Sequence, residues 1–137
     1  MKSMTPTAQI DAAAMSTTSV SITITIRRSK SVEFKTGILD AVHAALHSAG
    51  VERSNQLQSL VEFSEENFLY DPRFPDVRTE RTNDFVLVEI VLGEAAGNLL
   101  KQEITRNMAA QLAARDYNPA NLKLVFQDAP WENWLPA

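Results

Sequence analysis

Phe85-Val86-Leu87-Val88-Glu89-Ile90-Val91-Leu92 is the strongest strand signal in the chain, with Glu89 its one charged position. A run so dominated by β-branched and aliphatic residues predicts a strand covered on both faces. Upstream, Val20, Ile22, Ile24 and Ile26 alternate with Ser21, Thr23 and Thr25, the period of a half-buried strand. A helical pattern follows each. Phe34, Ile38, Val42, Ala45, Leu46 and Ala49 recur at spacings of three and four, predicting a helix over 31–48 that stops at Gly50. Leu100, Ile104, Met108 and Leu112 recur at every fourth position, predicting a second helix that opens at Gly97-Asn98 and ends before Asn118-Pro119. Leu57–Phe63 and Leu122–Phe126 read as the strands that close each half.

Val20 to Leu57 and Phe85 to Leu122 both span 37 positions, so the chain is two strand-helix-strand units in tandem. Right-handed crossovers place both helices on one side of a single four-stranded sheet, an α+β domain. Residues 1–19, rich in Ala, Ser and Thr, read as an N-terminal extension, and 20–137 as the domain. No third helix remains for the other sheet face. Several aliphatic side chains left in water there would each forfeit roughly 1.5–3 kcal/mol, so a second subunit is expected to cover it.

Composition narrows the function. With 13 Lys+Arg against 17 Asp+Glu the net charge is −4, and the cations are scattered, which argues against a nucleic-acid partner. No apolar run approaches a membrane span and no export signal is visible. The absence of Cys excludes disulfides and thiolate chemistry, and a cytoplasmic location is the default expectation.

Four further motifs stand in order along this repeat: Asp40-Ala-Val-His43, Asp71-Pro72, Arg81-Thr-Asn-Asp-Phe85 and Trp131-Glu-Asn-Trp134. Over about residues 20–134 the chain resembles the tautomerase superfamily, with its macrophage migration inhibitory factor-like fold, nearest the malonate semialdehyde decarboxylase branch. The resemblance implies a trimer with three sheets facing inward, small 2-oxo acids or enols as substrates, no metal or other cofactor, and proton transfer by an amino-terminal proline. The sequence departs from that pattern. The proline position falls on Val20, and Asn55 stands where the branch has an acidic residue. Gly93-Glu-Ala-Ala-Gly97 replaces the arginines that would clamp a carboxylate, and Glu94 there would repel one. Lys30, Arg81 and Trp134 remain as the expected substrate-binding residues.

Asp40, His43 and His47 share a helix face and have metal-ligand chemistry, but a solvated face accounts for them more simply and no metal site is assigned. Trp131 and Trp134 read as a pocket wall or as a terminus pinned on a subunit interface. Phe68–Pro75 reads as a subunit-bridging hairpin or a substrate lid, and Arg106 and Arg115 as solvent-facing. Three functional classes follow. The first is an oligomeric binding or partner subunit without proline chemistry, a homotrimer or a hetero-oligomer with a related chain. The second is a tautomerase or decarboxylase of small anionic oxo acids that uses other residues. The third is a ferredoxin-like regulatory module.

Overall fold

The computed structural model describes residues 19–75, 80–93, 97–130 and 133. Apart from Ser19, the N-terminal extension lies outside them. The elements run β1 (Val20–Arg27), α1 (Val32–Ser48), β2 (Gln56–Phe63), β3 (Val86–Leu92), α2 (Gly97–Ala114) and β4 (Leu122–Asp128). They form one sheet in the order β2-β1-β3-β4. β1 and β2 are parallel neighbours, as are β3 and β4, and β1 meets β3 antiparallel. In a ferredoxin-like module the β-α-β units are split, another strand lying between the two that a helix connects. Here each helix joins adjacent strands, which overturns the ferredoxin-like reading.

The two units are in register at a constant offset of 66 positions: Val20 recurs as Val86, Gln56 as Leu122 and Ser48 as Ala114. The buried helix stripes obey the same offset, Ile38 with Ile104 and Leu46 with Leu112. So do the helix ends. Gly50 (φ 94°) follows α1, with its N–H bonded to the His47 carbonyl and the Val51 N–H to that of Leu46, both at 3.0 Å. Asp116 (φ 65°) follows α2 in the same way, and the Tyr117 N–H reaches the Leu112 carbonyl at 3.0 Å. This is the Schellman arrangement, which satisfies carbonyls that the last helical turn leaves open. It also sets the end of α2 at Ala114, before Asn118-Pro119 as the sequence predicts. At the start of α1, the Ser31 side chain accepts from the Phe34 N–H at 3.0 Å, a cap of about 1 kcal/mol.

The core lies between the sheet and the helix pair. Ile22, Ile24 and Ile26 of β1 and Val86, Val88, Ile90 and Leu92 of β3 pack there against Ile38, Val42, Leu46, Leu100, Ile104 and Met108. The Asn107 side chain donates to the Ala45 carbonyl at 3.3 Å and ties the helices together.

The outer face is not wholly bare. Its end near β3 is covered by residues of the irregular segment after β2: Phe68 stacks on Phe85 at 6.0 Å and Tyr70 lies 4.6 Å from the same ring. Phe85 is consequently 2% exposed. β3 is therefore covered on its helix side and at one end, while Leu87 and Val91 remain half-buried and Glu89 exposed. β2 departs from the usual polarity of a core strand. Of its helix-facing residues only Leu60 is apolar and packs against the core, beside Gln56, Gln58 and Glu62, whereas Leu57 (65% exposed), Val61 and Phe63 (38%) face outward. Val125 of β4 adds another exposed aliphatic on that side.

Candidate functional site

The residues singled out from the sequence divide between the two ends of the sheet. At one end, Val20 opens β1, opposite Gln56 of β2 and Leu92 of β3, with its side chain in the core. The Ser19 carbonyl before it accepts from the Gly93 N–H at 2.7 Å, so the chain is already held to β3 upstream of Val20. Asn55 closes a single 3-10 turn, Arg53–Asn55, immediately before β2. Val20 and Asn55 are therefore neighbours. The Val20 nitrogen is a peptide amide, which carries no useful basicity near neutral pH.

Lys30 and Arg81 lie at the opposite end, about 23 Å away along the eight residues of β1. The Lys30 ammonium pairs with Asp84 at 2.5 Å and sits 5.3 Å from the Phe34 ring centroid. Arg81 is 5% exposed. Its guanidinium donates to the Phe74 carbonyl and, at 2.8 Å, to that of Ala120, and it stacks 4.5 Å over the Phe85 ring. Burial lowers the Arg81 pKa from its ordinary value, with Tyr70 opposing. These bonds make Arg81 a brace between the segment before β3 and the start of β4.

The 66-position offset explains the division. Asn121, the counterpart of Asn55, is buried at this second end and latches the same segment: its carbonyl oxygen accepts from the Thr82 N–H at 2.8 Å and its amide donates to the Thr82 hydroxyl at 3.0 Å. Beside it, Asp84, Val86, Asp116, Tyr117 and Asn121 line a cleft of about 170 Å³. The Tyr117 hydroxyl donates to the Phe34 carbonyl at 3.1 Å, and burial pushes its pKa up. Lys30 and Arg81 thus accompany Val86 and Asn121, the second unit's equivalents of Val20 and Asn55. Only a neighbouring subunit can bring cations of this end to the Val20 end of another chain.

Arg27, not expected as a site residue, joins the same cluster. It donates twice to the Phe68 carbonyl, once to the Asn83 side chain at 2.8 Å, and lies 4.3 Å from the Tyr70 ring centroid. Its phase was visible, since it continues the outward series Ser21, Thr23, Thr25. Burial raises the Tyr70 pKa, with Arg27 opposing, and the phenol donates to the Thr82 carbonyl. His43 and His47 stack at 6.3 Å, and among the described residues no three His, Asp or Glu side chains are placed to hold a metal. His43 is half-buried against β2 rather than on a solvated face. Trp131, Trp134 and Glu94 lie outside the described residues.

No family model matches the sequence, and no curated protein matches it either. Solved structures do. A malonate semialdehyde decarboxylase inhibited by 3-bromopropiolate superposes with a TM-score of 0.72 at 18% identity, covering 85% of this chain and 88% of that one. A second malonate semialdehyde decarboxylase, described as having decarboxylase and hydratase activities, gives 0.74 at 14% identity, over 85% and 89%. A fused 4-OT, described as a symmetric trimer, gives 0.61 at 19% identity, over 80% and 85%. The chain has the tautomerase fold. The tautomerase architecture accounts for the unsplit β-α-β units, the antiparallel β1–β3 seam and the two helices on one side. No helix among the described residues is long and apolar enough to cross a membrane.

Proposed function

We propose that this tautomerase-fold chain is an oligomeric binding or partner subunit, built as a trimer through the outer sheet face, that does not use proline-based proton transfer. The observation that carries the reading is Val20. It stands at the first position of β1 as a buried aliphatic residue in an amide, where an α-amino group would titrate near pH ~7.7–8.0 and serve as a base. Two features support the assembly. The apolar Leu57, Val61 and Phe63 point outward, and solved structures of the same fold are described as trimers. A cytoplasmic location fits a chain without Cys.

The second reading is an enzyme acting on small anionic oxo acids with residues other than a proline. It is favoured by the placement of Lys30 beside Asp84 at the end of the sheet that holds the 170 Å³ cleft, where a ligand carboxylate can compete for the ammonium. Ketonisation of phenylpyruvate or 2-hydroxymuconate by the purified protein separates the two. The binding-subunit reading expects no rate above buffer. Turnover that is lost in Lys30→Ala while Val20→Ala retains it would establish the enzyme instead.

A further inference from the structure

The departure of β2 from the usual polarity leaves a polar groove between that strand and α1. At one end of it, Lys35 pairs with Glu62 at 3.3 Å. At the other a cleft of about 310 Å³ opens, lined by Leu39, Asp40, His43, Arg53, Gln56 and Gln58. Its hydrogen bonds run in one direction. The Gln56 amide donates to the Val51 carbonyl at 3.1 Å, which turns its carbonyl oxygen toward His43 Nδ1 at 3.4 Å. His43 Nε2 meets Arg53 Nη2 at 3.1 Å. A guanidinium can only donate, so Nε2 is the accepting nitrogen and Nδ1 carries the proton toward Gln56. In this arrangement the imidazole anchors Arg53 through one of the guanidinium's five donors.

Asp40 lies one helical turn before His43 on the same cleft. The ion pairs among the described residues are Lys30–Asp84, Lys35–Glu62 and Lys101–Asp128, so Asp40 and Arg53 line the cleft without closing on each other. A guanidinium with donors to spare and a carboxylate lining one cleft are complementary to a molecule carrying both charges. We propose that this cleft binds a small zwitterion of the α-amino acid class. The ligand carboxylate takes the Arg53 donors that His43 does not use, and the ligand ammonium sits on Asp40, with Gln58 lining the same cleft. A simple carboxylate leaves Asp40 unmatched, and a simple amine leaves Arg53 unmatched. The cleft lies on the helix side of β2, opposite the outward row of Leu57, Val61 and Phe63, and its binding calls on no chemistry at Val20.

The test is titration of the full-length chain with alanine, propionate and ethylamine, followed by amide chemical shifts. Alanine is expected to give saturable shifts at residues 40, 43, 53 and 58. Propionate and ethylamine, each lacking one charge, are expected to bind at least about tenfold more weakly. Asp40→Asn and Arg53→Gln, both at exposed positions, should each weaken alanine by a similar factor without moving the urea midpoint. Propionate binding as tightly as alanine, alanine shifts that persist unchanged in both variants, or no saturable shift at all would each overturn the assignment.

Discussion

Gly50 and Asp116 hold the same post of the repeat, at φ 94° and 65°, but only the glycine does so without a Cβ penalty. Asp116→Gly should therefore raise stability by about 0.5–1 kcal/mol, read as a higher urea midpoint at unchanged slope. A lower midpoint would show that the Asp116 side chain itself stabilises the turn. Arg81 is the residue whose environment differs most from what its position in the sequence suggests. Arg81→Ala leaves the Phe74 and Ala120 carbonyls without their donor and should cost about 2–4 kcal/mol. Arg81→Lys should recover little of it, because an ammonium lacks the planar fork that reaches two carbonyls while stacking on Phe85. An unchanged midpoint in either variant would return Arg81 to the role of a free ligand-binding cation. The tyrosines Tyr70 and Tyr117 set an alkaline limit. Burial raises both phenols above their ordinary pKa, so the fold holds their protons more tightly than the unfolded chain does. That stability is fully present below about pH 10 and is lost as pH rises through the folded values. Tyr117→Phe should flatten the decline in midpoint seen above about pH 10, and a decline of equal steepness would assign it to other groups.

Among the elements, β2 carries the argument for assembly. Leu57→Lys places a charge on the outward row that holds Val61 and Phe63, and it should dissociate the oligomer while leaving the monomer's circular dichroism unchanged. An intact oligomer would place the interface elsewhere. The elements themselves were legible in the sequence because side-chain alternation and the helical stripes obey fixed periods, and the Gly50 stop fell where it was expected. Boundaries moved by a residue where turns intervene: Phe85 drops out of β3 because its N–H bonds to the Thr82 carbonyl at 3.1 Å. Arg81's role was not legible. Its partners Phe74 and Ala120 lie 7 and 39 positions away, and only the folded course of the intervening segments brings their carbonyls to it. The α1–β2 cleft left a readable trace, since Gln56, Gln58 and Glu62 share one phase and Leu57, Val61 and Phe63 the other, but which phase faced the helices depended on the sheet order.

At the scale of the whole molecule, the 66-position offset makes the two sheet ends near-equivalents of each other. Val20 and Asn55 mark one end, Val86 and Asn121 the other, and the cations Lys30 and Arg81 belong to the second. A site that combines Val20 with those cations must be assembled between chains, and the outward apolar side chains of β2 and β4 supply the surface on which chains can meet. The proposed trimer is what would bring the two ends together. The most direct test is the solution mass of the untagged full-length protein by multi-angle light scattering at micromolar concentration. A trimer at three times the 15.2 kDa chain mass is expected. A monodisperse species at the single-chain mass would contradict it.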